Sequence, residues 1–221
     1  IFTATTALRM LMRNGEEYPQ KYDLKSLRFL TCAGEPLNPE ALRWTYEHIC
    51  GSGKWGHVVD NWWQTETGGP CLGTTATMPV KPGRVGKPLP GVEMDIVDRE
   101  GQPITEPNKG GLLVINRPFP HFFRTVFGDP ERYAQDWNTI PGVYFTGDVA
   151  LRDADGYYMV VGRADDVLNV AGHRIGSAEV ESALVSHPAV AEAAVIGKPD
   201  ALRGESIKGF VTLRVGYEPS D

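Results

Sequence analysis

Residues 26–40 read SLRFLTCAGEPLNPE, and residues 57–69 read HVVDNWWQTETGG. The first stretch opens with an alternating run that predicts a β-strand entering a turn at GEP. Asn38 then suits the N-cap of a helix, with Pro39 at its first position. The second stretch is an apolar strand that ends in a polar turn closed by glycine. Strand, turn, helix and strand in this order predict an α/β sheet, in which ligands bind at the carboxyl ends of strands.

The pattern of the chain changes twice after this α/β portion, which we place at 1–80. From about Pro79, short alternating runs with many Pro and Gly predict a small β-barrel or sandwich over 81–164. Asp155-Gly156 is a strong hairpin turn signal within it. A ribbon, a helix and two strands then predict the beginning of a compact α+β domain over 165–221.

Composition excludes some classes of partner. The net charge is −6 and no Lys/Arg-rich run occurs, which argues against nucleic acid or an anionic membrane. No apolar stretch approaches the roughly 20 residues that span a bilayer. Cys32, Cys50 and Cys71 follow no pattern and fit a reducing compartment, so we expect a cytoplasmic protein with small, buried, unpaired thiols.

Three segments carry a resemblance to a known family. They are GEP at 34–36, DNWWQTETGG at 60–69, and YFTGD through GRADDVLNVAGHRIG over 144–176. In this order they resemble the adenylate-forming superfamily of acyl-CoA synthetases, luciferases and peptide-synthetase adenylation domains, and the likeness covers essentially the whole chain. WWQTET and NVAGHR look closest to acetyl- and propionyl-CoA synthetases. The resemblance implies the C-terminal part of a large AMP-binding domain, followed by the start of a mobile C-terminal domain.

An enzyme of this kind joins a small carboxylic acid to the α-phosphate of ATP, releases pyrophosphate and passes the acyl group to CoA. Because two anions must meet, the site needs cations, a metal and fixed hydrogen-bond donors. The Thr65 hydroxyl suits phosphate oxygens and the Glu66 carboxylate suits Mg²⁺. With Arg174, these form the predicted catalytic set. The resemblance implies two backbone walls for the adenine slot: Gly34, Glu35 and Pro36, and Asp60, Asn61, Trp62, Trp63 and Gln64.

The third segment supplies further expected contacts. Asp148 follows an apolar strand, where a carboxylate can accept both ribose hydroxyls. Arginine forks suit phosphate, and the resemblance assigns Arg163 to the nucleotide and Arg174 to the phosphates. It also makes Asp165 the hinge between two domain poses and places Ala171 and Gly172 against CoA.

A second cation site is implied at His187, with the backbone carbonyls of Val185 and Val190 as the other ligands. The alternative interpretation, a histidine favoured by a helix C-terminus, is equally consistent with the sequence.

Two residues bear on the size of the acid. In the acetyl-CoA synthetase pattern Trp63 closes the acyl pocket. Ala33 precedes GEP where the acetate enzymes often carry the larger Val. Because one methylene in an apolar pocket is worth roughly 1–3 kcal/mol, we predict that propionate is accepted at least as well as acetate.

The ends of the chain, Ile1 and Asp221, do not resemble natural termini, so we expect an internal fragment. The resemblance implies a phosphate-binding loop and a catalytic lysine outside it, and hence an inactive fragment of an active enzyme. Two alternatives remain open at this point. One is an adenylation module that loads a carrier protein, and the other is a catalytically silent module that binds a nucleotide or a protein partner.

Overall fold

The structure is a computed structural model that describes residues 1–170, 173–200, 204–213 and 216–219. It is a mixed α/β fold, as predicted. The α-helices are α1 (Thr5–Arg13), α2 (Glu17–Gln20), α3 (Pro39–Trp44), α4 (Pro130–Asn138) and α5 (Ser177–Val185). The strands are β1 (Phe2–Thr3), β2 (Phe29–Cys32), β3 (His57–Trp62), β4 (Leu72–Gly73), β5 (Lys87–Pro88), β6 (Met94–Val97), β7 (Gly111–Ile115), β8 (Tyr144–Arg152), β9 (Tyr158–Arg163), β10 (Val167–Val170), β11 (His173–Gly176), β12 (Val190–Asp200) and β13 (Gly204–Leu213).

The chain divides into two compact units. The first comprises Ile1–Thr146 and Leu151–Val160, and the second comprises Gly147–Ala150 and Val161–Asp221. The domain boundaries near 80 and 164 that the sequence suggests stay predictions. Among the described residues, no helix is long and apolar enough to span a bilayer.

The first unit contains a five-stranded sheet in the order β1-β2-β3-β4-β5. Strands β1, β2 and β3 are parallel, whereas β4 and β5 join in antiparallel pairing. Cys32, the last residue of β2, lies opposite Asp60 of β3. The GEP turn therefore follows β2 and the WQTETGG segment follows β3 at the carboxyl ends of adjacent parallel strands, as the sequence predicts.

Apolar residues of α1, α3, β2 and β3 form the core on this sheet. Its buried members are Leu8, Leu30, Cys32, Leu37, Ala41, Leu42, Trp44, Ile49, Cys50 and Val58. Burial raises the pKa of the Cys32 thiol to about 12, and the nearby charges of Asp60 and Glu35 add to the shift. The Cys32 thiol is therefore uncharged near neutral pH, so it is a poor nucleophile and serves as a small core residue.

The start of α3 illustrates how local sequence sets these elements. The Asn38 side-chain oxygen accepts a hydrogen bond from the Ala41 N–H at 2.7 Å, and Pro39 and Glu40 fill the first turn. We expect Asn38→Ala to lower the free energy of unfolding by about 1 kcal/mol, because one helix N–H loses its partner. Urea unfolding of the full-length protein measures this. Asn38→Asp is the matched control and should cost little, since aspartate caps as well as asparagine.

A second sheet has the order β6-β7-β8-β9 and corresponds to the predicted β-rich part. The predicted turn before β9 is confirmed: the Gly156 N–H donates to the Asp153 carbonyl, and Gly156 has a φ of +81°. Lys81 forms an ion pair with Asp153 at 2.9 Å, which ties the segment before β5 to this turn. Buried Val97 of β6 and Val114 of β7 form a small core cluster of this sheet with Ile140.

The second unit has a four-stranded sheet in the order β11-β10-β13-β12, with α5 against β12. The Glu181 carboxylate on α5 accepts the Val195 N–H at 2.9 Å. Strand β13 pairs with β12 from Gly204 to Leu213, so the last predicted strand begins six residues before its apolar run at 210–215, of which 214 and 215 lie outside the described residues. Strand β12 also continues through Pro199. It is an edge strand, where proline is tolerated because only one side of the strand is paired.

Candidate functional site

The GEP turn is held by the Glu35 side chain. Helix α1 has no side-chain cap at Ala4, and Glu35 Oε1 instead accepts the Thr6 N–H at 2.7 Å. Glu35 Oε2 accepts from Arg9 Nη2 at 3.1 Å. The carboxylate therefore closes the N-terminus of α1, where negative charge is favoured. This leaves the backbone of Gly34 and Pro36 as the part of the turn that can border a ligand. Gly34 has a φ of +90°, and a side chain there would meet nothing within 4 Å.

The side chain of Asp60, on β3, connects this strand to the GEP turn. Asp60 is only 8% exposed, and its carboxyl group accepts hydrogen bonds from the N–H groups of Asn61 and Leu37, the residue after GEP. Burial raises the pKa of Asp60 to about 7, although these hydrogen bonds oppose the shift. The two predicted walls of the slot thus share one buried side chain.

The next three residues differ in exposure. Asn61 is buried, and its Oδ1 has no hydrogen-bond partner among the described residues. Trp62 is half-buried, and its carbonyl accepts from the Cys71 N–H at 3.0 Å. Trp63 is 40% exposed, which is inconsistent with a core tryptophan.

The TETGG turn is a short 3-10 helix whose ends are anchored. Thr67 is fully buried; its hydroxyl accepts from the Gln64 N–H, and its single proton is shared between the carbonyls of Gln64 and Gly69, which lie 2.8 and 2.9 Å away. The Gln64 amide donates to the Thr146 carbonyl at 2.7 Å and accepts from the Tyr144 hydroxyl at 3.4 Å. These contacts fix the turn against β8.

Thr65 and Glu66 lie between the anchored residues Gln64 and Thr67, and their side chains can contact a ligand. Thr65 is exposed and Glu66 half-buried. In the described part of the chain neither side chain makes a hydrogen bond or an ion pair. A hydroxyl and a free carboxylate are hard oxygen donors and therefore fit Mg²⁺ bound to phosphate. Among the described residues, no group of three His, Cys, Asp or Glu side chains is placed to hold a metal ion.

A second carboxylate lies near Glu66. Burial raises the pKa of Asp136 on α4, and the charge of Glu66 raises it further, whereas Arg132 lowers it. Sequence patterns did not single out Asp136, because nothing in the local sequence of α4 indicates that it faces the turn.

In the second unit, Asp148 and Arg163 come together. Arg163 Nη1 lies 3.5 Å from Asp148 Oδ1, and Asp148 is buried whereas Arg163 is half-exposed. Gly147 has a φ of +76°, and a Cβ there would lie 2.7 Å from Arg163 Nη1. The Ala164 N–H donates to the Gly147 carbonyl at 2.8 Å. This glycine therefore allows the guanidinium to lie across the backbone beside the carboxylate.

The structure describes only some of the remaining residues of this motif. Asp165 is exposed in the turn between β9 and β10, with its carboxylate 4.0 Å from Arg163 Nε. Arg174 lies on β11 opposite Asn169, and its side chain is outside the described part of the structure. Ala171 and Gly172 also lie outside the described residues. Their roles stay predictions.

The predicted cation site follows α5. The His187 N–H donates to the Leu184 carbonyl, and the Val190 N–H donates to the His187 carbonyl. His187 Nδ1 accepts from the Ala189 N–H at 3.3 Å. Val185 is exposed and Val190 buried. The segment is a tight turn, and its role as a cation site stays a prediction.

Two family models match separate parts of the chain. The AMP-binding enzyme family matches residues 1–125, and the AMP-binding enzyme C-terminal domain matches residues 179–221. Acetyl-coenzyme A synthetase of Deinococcus radiodurans is 54% identical over 98% of the chain, and that of Methanothrix soehngenii is 52% identical over all of it. The chain spans about a third of the length of each.

Two solved structures are also similar. The anthranilate CoA ligase AuaEII in complex with anthranoyl-AMP matches all of the chain over 40% of its own length, with a TM-score of 0.77 and 31% identity. The acyl-CoA synthetase of Brucella canis matches 99% of the chain over 39% of its own, with a TM-score of 0.62 and 35% identity. From motifs, fold and relatives together, the chain belongs to the AMP-binding, adenylate-forming enzyme family.

Proposed function

We propose that the protein containing these residues is an AMP-forming acid–CoA ligase for a carboxylic acid of acetate or propionate size. The observation that carries the proposal is the turn 64–67. Its outer residues are anchored, and Thr65 and Glu66 remain open beyond the carboxyl end of β3. The similarity to acetyl-coenzyme A synthetases supports the choice of acid and of CoA.

In the first half-reaction, a carboxylate oxygen attacks the α-phosphorus of ATP, the bond to the β-phosphate oxygen breaks, and pyrophosphate leaves. The Thr65 hydroxyl would donate to a phosphate oxygen, and Glu66 would hold Mg²⁺. The ion would neutralise phosphate charge that otherwise repels the acid. The backbones of 34–36 and 60–64 would border the adenine, and Asn61 Oδ1 offers a buried acceptor of the kind an amino group needs.

In the second half-reaction the CoA thiolate attacks the acyl carbonyl, and AMP leaves with the bonding electrons. Asp148 would accept the ribose hydroxyls, with Arg163 beside it as the nucleotide contact. Arg174 is proposed for the phosphates, Asp165 for the hinge, and Ala171-Gly172 for the approach of CoA. Val185, His187 and Val190 are proposed as a structural cation site.

The size of the acid pocket rests on two residues of the first unit. Ala33 is buried immediately before the GEP turn, and it carries only a Cβ where a branched residue would add two methyl groups. The Trp63 indole is exposed enough to cover a ligand. We therefore propose that three carbons fit as well as two.

We expect the full-length protein to form acyl-CoA, AMP and pyrophosphate from acid, ATP and CoA. The kcat/KM for propionate should equal or exceed that for acetate, and butyrate should be poorer. A coupled assay of AMP release, run with each of the three acids, measures these kcat/KM values. Ala33→Val is the matched variant and should shift preference toward acetate by roughly 10-fold, because it adds two methyl groups to the pocket. A strong acetate preference in the unaltered enzyme would end the proposal on size.

The same assay separates the alternatives. Transfer to a phosphopantetheinyl carrier protein but not to free CoA would favour a carrier-loading module. Nucleotide binding without AMP release with any acid would favour a silent module. We also propose a cytoplasmic location, since Cys32, Cys50 and Cys71 are buried free thiols that suit a reducing compartment.

A further inference from the structure

His121 lies in a short aromatic segment, residues 119–123 (FPHFF), that packs against the TETGG turn. His121 Nδ1 lies 2.6 Å from the Thr67 carbonyl oxygen. A carbonyl oxygen only accepts, so Nδ1 carries the proton and donates.

Two backbone contacts reinforce this one. The Phe123 N–H donates to the Glu66 carbonyl at 2.8 Å. Gly68 has a φ of +67°, and a Cβ there would overlap the His121 carbonyl oxygen. The carbonyls of Glu66 and Thr67 are therefore both engaged by this segment. The peptide units on either side of Thr67 cannot rotate freely while those bonds hold.

The imidazole itself is held in place. The Phe119 ring lies 4.6 Å from it, centroid to centroid, and Phe119 is buried. Phe122 packs edge-on against Phe119 at 5.2 Å and against Tyr144 at 5.0 Å. Tyr144 in turn donates to Gln64. The histidine is thus one member of a connected packing cluster that reaches both ends of the turn.

We propose that His121 is a positioning residue, which fixes the orientation of Glu66 by donating from Nδ1 to the Thr67 carbonyl. In this role His121 does not contact the substrate. Its effect reaches Glu66 through the Thr67–Gly68 peptide unit, whose carbonyl it holds, and through Thr67. The inference rests on the proposed role of Glu66 as the Mg²⁺ ligand, and it goes beyond the motif residues themselves.

The test uses three variants of the full-length enzyme. His121→Asn keeps a donor nitrogen on Cγ, at about the position of Nδ1. His121→Gln moves that donor one bond farther out, and His121→Leu removes it at similar volume. We expect the Leu and Gln variants to lose about 10-fold in kcat/KM, the size of one hydrogen bond, and to need more Mg²⁺ for half-maximal rate. The Asn variant should stay within about threefold of the original enzyme.

Matched controls and a second readout separate this inference from the proposed function. His57 is exposed at the amino end of β3, with its ring 5.8 Å from that of Phe29, and His57→Leu should change neither rate nor Mg²⁺ requirement. Amide hydrogen exchange over 66–69 should speed up in the Leu and Gln variants but not in Asn, whether or not the protein proves to be a ligase. Equal behaviour of Asn and Leu in both measurements would overturn the inference. An unaltered enzyme without ligase activity, but with the expected exchange pattern, would overturn only the proposed function.

Discussion

Replacing Asp60 with asparagine should remove most of a fall in stability that the unaltered protein shows as pH rises from about 4 to 8. Burial raises the pKa of Asp60 from 3.8 to about 7 in the folded state. Between these values the folded protein holds a proton that the unfolded chain has released. The stabilising contribution is therefore complete below pH 4 and is lost as pH rises through 7. A shift of this size corresponds to about 4 kcal/mol.

Asparagine suits this test because it keeps the acceptor. Its Oδ1 can accept from the N–H groups of Leu37 and Asn61 as the carboxyl oxygen does, and it carries no charge at any pH used. We expect the variant to unfold at higher urea concentration than the original protein at pH 8.5 and to lose that advantage at pH 5. The measurement is the urea midpoint of the full-length protein from pH 4.5 to 8.5.

Asp98→Asn is the matched control. Asp98 also accepts two backbone N–H groups, from Glu100 and Gln102, but it lies partly open to solvent. Its variant should show a pH profile parallel to that of the original protein. A parallel profile for Asp60→Asn as well would mean that the buried carboxyl is not neutral in the folded state.

Asp60 also shows what local sequence can and cannot reveal. The strand and the turn around it are readable, because apolar runs, the Asn38 cap and glycine-closed turns act over a few residues. The parallel pairing of Cys32 with Asp60 then follows from the α/β order. The hydrogen bond from Leu37 to the Asp60 carboxyl joins residues far apart in the chain. No local pattern predicts it.

The same limit explains the contacts that the motifs did not reveal. Glu35 was expected only as part of a backbone wall, yet its side chain caps α1 at Thr6, 29 positions away. His121 and Thr67 are 54 positions apart. His121 lies among aromatic residues and Thr67 in a turn-forming segment. Each of these patterns has an ordinary local explanation, so neither indicates a contact with the other. The residues proposed to contact ligand are identified by resemblance, whereas the residues that hold them in place are identified only from the fold.

Replacing Gly147 with alanine should weaken AMP binding by roughly 10- to 100-fold, the effect of losing one or two charged hydrogen bonds. The added Cβ would lie 2.7 and 2.8 Å from Nη1 and Cζ of Arg163. The guanidinium is the far end of a flexible side chain, so it should move rather than the backbone. It would then leave its position 3.5 Å from Asp148, where we propose that it contacts the nucleotide.

Calorimetry of AMP binding can also test whether Arg163 is the group that alanine displaces. If alanine acts by displacing Arg163, the double variant Gly147→Ala/Arg163→Ala should bind no more weakly than Arg163→Ala alone, because the displaced group is already absent. Gly142→Ala isolates the backbone strain: Gly142 has a φ of +85°, yet a Cβ there would meet nothing within 4 Å. It should cost stability without changing AMP affinity. Additive losses in the double variant would show instead that Gly147 acts through the backbone of β8, and that the Asp148–Arg163 pair is not what the glycine protects.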